Sequence, residues 1–306
     1  MSFLIGLCIV TVLIGIAVLY GLVKLKSANK LIFYLVLGGL AIIVILGLYN
    51  GLVIRKYQVS THKFKLEQPI KIALLTDLHS YNYGKEQEKL LEKLNEQEPD
   101  LILLSGDIVD DEEPITGVTY LLEGLQNTVP IYYVTGNHEY WTGEIEQIKT
   151  FLESYGVIVL EEDYRVEMIK GMPIIIAGIS DPDKWRGLYS ETGFELAYVE
   201  LEEKVVKERG YKILLSHRPE FVDLYSRGEY DLVVSGHAHG GQVRVPGLIN
   251  GLYAPGQGGF PKYAGGSYKL LNGSNLIVSR GLSINRRLPR IFNPPELVMV
   301  EINGTR

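Results

Sequence analysis

Apolar and polar positions divide this chain into two regimes. Residues 2–23, SFLIGLCIVTVLIGIAVLYGLV, carry no charged side chain, and residues 31–54, LIFYLVLGGLAIIVILGLYNGLVI, carry none either. Each run exceeds the roughly 20 residues that a helix needs to cross the hydrocarbon core of a bilayer. The first is too long for a cleaved signal peptide and has no basic segment ahead of it. The pattern predicts a two-helix transmembrane hairpin over residues 1–56, with spans of about 2–23 and 31–54 joined by KLKSANK (24–30). Residues 57–67 read as a linker.

From residue 68 to 306 the pattern changes to short apolar runs alternating with helical periods. IKIALL (70–75) precedes a helical stretch near 85–97, with Leu90, Leu91 and Leu94 on one face. LILL (101–104) precedes another near 115–126. IYYV (131–134) precedes one at 144–155, striped by Ile145, Ile148, Phe151 and Leu152. PIIIAGI (173–179), a helix near 195–208, KILL (212–215), DLVV (231–234), NLIV (275–278) and ELVMVEI (296–302) follow. Such alternation predicts an α/β domain with helices covering sheet faces. The Gly- and Tyr-rich segment 247–268 reads as a long loop or hairpin near a site.

The residues just beyond five of these runs carry the chemistry. They are Asp77 and His79, Asp107, Asn137 and His138, His217, and finally His237 and His239 in SGHAHGG (235–241). Taken singly, an Asp or Asn after a strand is more often a turn or cap residue. The set differs, because five of the six histidines stand at such exits and only His62 does not. Carboxylates, imidazoles and an amide oxygen form a mixed N/O donor set, which suits Mn, Fe or Zn better than Ca. The donors are too many for one ion and about right for two divalent ions with a bridging carboxylate. Two ions suit phosphoester hydrolysis, in which they acidify a water and neutralise phosphoryl oxygens. An imidazole can then protonate the leaving oxygen.

The formal net charge is −6. Residues 1–56 hold five Lys/Arg and no acid, which leaves 25 basic against 36 acidic residues beyond them, or −11. A domain this acidic is a poor non-specific nucleic-acid binder, since phosphate contacts dominate that affinity. Cys8 is the only cysteine, so neither an intramolecular disulfide nor a Cys-based zinc site is open to the chain. The lysines of the 24–30 linker favour a cytoplasmic loop, while Arg55, Lys56, Lys63 and Lys65 argue for a cytoplasmic domain. Long translocated domains obey the charge rule weakly, and the expectation is an extracytoplasmic domain on a cell membrane.

DLH (77–79), GD (106–107), GNHE (136–139), SH (216–217) and GHAH (236–239) together resemble the calcineurin-like metallophosphoesterase superfamily. All five blocks match in order, and the resemblance covers about residues 68–302. LLSHRPE (214–220) and GHAHGGQVRVPG (236–247) are most similar to a branch of membrane-associated or exported bacterial phosphodiesterases. The resemblance implies a two-sheet α/β/β/α sandwich rather than one open sheet. It implies a first ion held by Asp77, His79 and His239, a bridging Asp107, and a second ion completed by Asn137, His217 and His237. His138 is implied to be a general acid facing the phosphate rather than a ligand. The expected substrate is a phosphomono- or diester, with the hairpin pointing to a lipid- or envelope-linked one. A soluble nucleotide or other small ester, or a non-catalytic scaffold, are the alternatives. Two weaker signals remain. SRGLSINRRLPR (279–290) gathers Arg280, Arg286, Arg287 and Arg290, either as phosphate partners or as a solvated basic loop, and YNY (81–83) is a candidate substrate wall.

Overall fold

The computed structural model describes residues 29–126, 128–186, 190–284 and 289–305, with Gly15, Val18 and 20–24. Most of the first expected span, and Arg286 and Arg287, lie outside the described residues. Two compact units emerge, Met1–Tyr49 and Asn50–Arg306.

In the first unit, helix α1 (Lys30–Gly47) starts where the Asn29 side chain accepts hydrogen bonds from the backbone N–H groups of Leu31 and Ile32, at 3.0 and 3.2 Å. Such a cap satisfies two of the donors that a helix N-terminus leaves open. Among the described residues, α1 is the one helix long and apolar enough to cross a membrane. Nearly all of its side chains are exposed. At 1.5 Å per residue it is about 27 Å long, close to the thickness of a hydrocarbon core. The expected second span continued to residue 54, but the helix stops at Gly47, and Val53 and Ile54 belong to a strand. Tyr49-Asn50-Gly51 is the break; apolar content alone had run through it.

The second unit runs in chain order as follows. Strand β1 (Val53–Lys65) and β2 (Ile70–Leu75) precede helix α2 (Glu88–Asn95). Then come β3 (Leu101–Ser105), α3 (Thr116–Leu125), β4 (Ile131–Val134), α4 (Asn137–Trp141), α5 (Ile145–Ser154) and β5 (Ile158–Val159). The second half has β6 (Asp163–Ile169), β7 (Met172–Gly178), α6 (Ser190–Val205), β8 (Tyr211–Leu215), α7 (Val222–Tyr225) and β9 (Leu232–Ser235). Four short strands, β10 (Tyr253–Ala254), β11 (Gly258–Gly259), β12 (Gly266–Lys269) and β13 (Asn275–Val278), lead to β14 (Glu296–Thr305).

Two six-stranded sheets form, ordered β1-β14-β2-β3-β4-β5 and β12-β13-β9-β8-β7-β6. Alternation along the strands explains why two sheets stack. Ile72, Leu74, Leu101, Leu103 and Tyr132 of the first sheet meet Ile174, Ile176, Ile213, Leu215 and Val234 of the second in a wholly apolar layer. The alternate residues Ala73, Leu75, Ile102, Leu104 and Tyr133 pack on α2, α3 and α5. On the far side Ile175, Ala177, Leu214 and Val233 pack on Phe194, Ala197, Tyr198 and Leu201 of α6. Strands apolar on both faces read as continuous hydrophobic runs, which is why the sequence showed the strands but not their division into sheets.

The segment read as a linker, 57–67, is mostly strand. β1 pairs in parallel with β14 from Val53↔Glu296 to Thr61↔Gly304. Tyr57, Val59 and Phe64 join the central layer, while Arg55, Lys56, Gln58, Ser60 and His62 face water. An edge strand with one wet face is polar in composition, so it passed for a linker. Burying Val59 alone contributes about 1.5–3 kcal/mol. Shortening the domain from Asn50–Arg306 to residues 68–306 should expose the β14 edge and turn a monodisperse protein into an aggregating one on size-exclusion chromatography. Equal behaviour of the two would mean that β1 is not part of the fold.

Candidate metal centre

Parallel strands end side by side, and here the ends of two sheets meet. Leu75 pairs with Leu104 and Ser105 with Val134 in the first sheet, and Leu215 with Val234 in the second. Hydrogen bonds stitch the seam between them. Ser105 Oγ donates to Ser216 O at 3.2 Å, and His217 Nδ1 donates to Ser105 O at 2.9 Å. The backbone N–H of His237 donates to Asp77 Oδ1 at 3.0 Å. As the resemblance implied, two sheets contribute: the seam takes Asp77, His79, Asp107 and Asn137 from one sheet and His217, His237 and His239 from the other.

The loops turn sharply to do this. Asp77, His79, Asp107, His237 and His239 have φ of 52°, 48°, 51°, 65° and 45°. This left-handed region is sparse for non-glycine residues, though Asp and His enter it more readily than most. Such positions cost of order 1–3 kcal/mol each and persist only where surroundings over-determine them. Space is equally tight at two glycines. A Cβ on Gly236 would run into Asp77 Oδ2, and one on Gly136 into Asp107 Oδ1.

Among the described residues the donor atoms fall into three groups, two of which share Asp107, while the third is made by His79, Asp110 and His138. Atoms of Asp77, His79, Asp107 and His239 lie within 4.8 Å of one another, as do those of Asp107, His217 and His237. His79 Nε2 is 3.3 Å from His239 Nε2 and 3.6 Å from Asp107 Oδ2, and His239 Nε2 is 3.3 Å from Asp77 Oδ1. On the other side of Asp107, Oδ2 is 3.1 Å from His217 Nε2, which is 3.2 Å from His237 Nδ1. Outer partners set the tautomers. His79 Nδ1 donates to Asp110 Oδ2 at 2.8 Å, and His217 Nδ1 to Ser105 O, so both Nε2 atoms turn lone pairs inward. Asn137 opens α4 with its Oδ1 buried and without a hydrogen-bond partner. An acceptor of this kind, among inward-facing imidazoles and carboxylates, fits a pair of divalent cations.

Electrostatics point the same way. Burial pushes Asp77 up to about 6. Burial would also raise Asp107, but the charge of His217, joined by His79, holds it well below the carboxylate range. Burial would lower His217, yet the Asp107 carboxylate lifts it to about 10. Protons thus compensate the carboxylates wherever cations do not.

His138, second in α4, stands outside the two groups that share Asp107 and belongs to the third, with His79 and Asp110. Its Nδ1 bonds Asp111 Oδ1 and lies 3.6 Å from Asp110 Oδ2. Its ring meets that of His79 edge-on, with centroids 4.5 Å apart, and that of Trp141 at 4.4 Å.

Sequence reasoning missed the supporting carboxylates. Glu139, fully buried, accepts from the backbone N–H groups of Asp107, Ile108, Val109 and Gly136 at 2.7–3.0 Å, clamping the Asp107 loop to α4. Burial, with Asp107's charge, raises it to about 7. The run DIVDD (107–111) was the available signal for Asp110 and Asp111. The arginine cluster reads differently in three dimensions. Arg280 is buried against Glu296, with Nη1 2.9 Å from Oε2, and Arg290 donates to the carbonyls of Ser283 and Arg280, both at 2.8 Å. These two arginines hold backbone in place; they are neither a solvated loop nor open to a phosphate. Tyr83 is likewise committed, its hydroxyl donating to Leu282 O.

Residues 70–241 match the family model for calcineurin-like phosphoesterases. An uncharacterized metallophosphoesterase of Campylobacter jejuni is 31% identical over 245 residues, covering 79% of this chain and 61% of that protein. An uncharacterized metallophosphoesterase of Aquifex aeolicus is 32% identical over 275 residues, covering 86% of this chain and 98% of that protein. The chain therefore spans under two thirds of the first relative and nearly all of the second. Among solved structures, the phosphopantetheinyl hydrolase of Mycobacterium tuberculosis aligns over 70% of this chain and 89% of that one, at 13% identity and a TM-score of 0.46.

Ligating imidazoles must be deprotonated, so metal uptake should release protons. Adding Mn²⁺ or Zn²⁺ to chelator-treated protein at pH 7 should release about one proton or more, chiefly from His217, read as a buffer-dependent heat in calorimetry. Heats independent of the buffer would contradict this arrangement. With the metal removed, folded Glu139 and His217 hold protons more tightly than the unfolded chain does. Stability should therefore fall as pH rises, from about 4.5 to 7 for Glu139 and from about 6.5 to 10 for His217.

Proposed function

The chain belongs to the calcineurin-like phosphoesterase family, and on that premise we propose that it is a dimetal-dependent phosphoester hydrolase working at a membrane. One observation carries the reading: Asp107 is shared by two groups of donor atoms, one with Asp77, His79 and His239 and the other with His217 and His237. Asp77, His79 and His239 would hold one ion and Asn137, His217 and His237 the other, with Asp107 available to both. When bound, the ions supply an acidified water and neutralise phosphoryl oxygens. The protein's own residues do the rest. Asp110 and Ser105 orient the imidazoles through their Nδ1 protons. Glu139 fixes the loop that presents Asp107. His138, its Nδ1 engaged by Asp111, delivers a proton to the leaving oxygen.

The membrane part of the proposal rests on α1. Only residues 48–52 separate it from β1, so a membrane-embedded α1 keeps the domain at the bilayer surface. The lysines of KLKSANK support an extracytoplasmic domain, and the substrate is then a lipid- or envelope-linked phosphoester.

Asp107→Asn and His239→Ala should each lower turnover of bis-p-nitrophenyl phosphate by roughly a thousandfold or more and reduce bound metal, with unchanged circular dichroism. His138→Ala should retain the metal and lose about 10²–10⁴ in kcat. That loss should be larger for an alkyl ester, whose leaving oxygen needs a proton, than for a p-nitrophenyl ester, which needs none. Wild-type turnover by His239→Ala would refute the site, and equal losses on the two esters would remove His138 from the acid role.

A further inference from the structure

Beside His79 a cleft of about 360 Å³ opens to solvent. This lies in the range of small-molecule sites. Its buried wall is His79 and Asp110, its outer wall the exposed Glu112 and Glu113, and Tyr81 offers an aromatic face. Among the described residues, no lysine or arginine lines it. Asp110 is already committed, with Oδ2 on His79 Nδ1 and Oδ1 accepting from the backbone N–H groups of Glu112 and Glu113. The two glutamates therefore add negative charge at the mouth.

Ser283 supplies an independent sign of a ligand. It lines the cleft and is 1% exposed, yet its Oγ has no hydrogen-bond partner. Its backbone fixes it there: the N–H donates to Asp77 O at 2.7 Å, and the carbonyl accepts from Arg290 Nε at 2.8 Å. A buried hydroxyl without a partner is costly. A donor or acceptor on a bound molecule would satisfy it.

We propose that this cleft receives the alcohol portion of the substrate and selects an alcohol bearing a positively charged amine. The inference rests on the phosphoesterase reading, since His79 joins the cleft to the candidate metal centre. With the phosphoryl group at the candidate metal centre, the organic group attached to it would extend past His79 into the cleft. Carboxylates there favour a cation and oppose a second anion, such as a further phosphate. The Tyr81 ring adds a face over which an ammonium group is attracted. The volume suits an amino alcohol or a single amino sugar ring.

The test uses the full chain in detergent, loaded with Mn²⁺. Wild type should prefer 4-nitrophenyl phosphorylcholine to bis-p-nitrophenyl phosphate in kcat/KM. The double variant Glu112→Gln/Glu113→Gln should lose about tenfold on the choline ester while leaving the other ester unchanged. The same ratio in both proteins would overturn the proposal. If neither ester is hydrolysed, the phosphoesterase reading fails, and calorimetric binding of phosphocholine decides the cleft: weaker binding by the variant supports it, and equal or absent binding overturns it. Hydrolysis of phosphatidylcholine vesicles would place the amine on a lipid headgroup, and hydrolysis of glycerophosphocholine on a soluble diester. Either supports the assignment. Turnover of a nucleotide diester with neither of these overturns it.

Discussion

A carboxylate sealed away from water must be met by charge or by hydrogen bonds on every side, and Asp107 sets that demand for the whole domain. It is 1% exposed and sits where two sheets meet. One oxygen accepts from the backbone N–H of His138 at 2.9 Å, and the other faces His217 and His79. To supply those partners, β3 must end beside β2, β4 must deliver α4 across the loop, and β8 must bring His217 over from the second sheet. Glu139 is a second buried acid whose task is to hold the first one's loop. The apolar layer between the sheets keeps these strands in register, and the seam's polar chemistry stands at its open end.

The same demand explains the backbone. Five of the residues at the seam adopt left-handed φ values. Few residue types tolerate that region, and Asp and His are among them. Chemistry and conformation therefore select the same side chains at Asp77, His79, Asp107, His237 and His239. Tightly packed glycines such as Gly136 and Gly236 complete the arrangement by leaving room for the Asp107 and Asp77 carboxylates.

Much of this was legible because each signal is local. An apolar run such as IALL followed by TDLH fixes a strand, its end and its polar exit within ten residues. The strands β2, β3, β4, β8 and β9 and the candidate donors at their ends were read in this way. Division into two sheets was not, since strands buried on both faces look alike; it came from the family resemblance. β1 was lost because its partner lies far along the chain and its outer face is polar. The arginines at 280 and 290 were misjudged because composition cannot tell a charge aimed at solvent from one aimed at carbonyls. Glu139 stood inside a recognised motif, but its four backbone contacts follow from a turn that no spacing rule describes. The acidity of the domain acquires a local meaning too. A domain of net negative charge repels phosphate at a distance, and cations held by the seam's donors would reverse that sign only there.

The pairing of β1 with β14 also orders events during synthesis. Gln58 and Glu301 touch although 243 residues separate them. β14 also stands between β1 and β2, pairing antiparallel with the latter. On a ribosome, β1 emerges early and waits for a partner made near the end of the domain, while β2, β3 and β4 can already associate. Closing so long a loop is slow, and an unpaired strand edge invites other chains. β14 can therefore enter between β1 and β2 only after both have long been made, and until it does their edges stay unpaired.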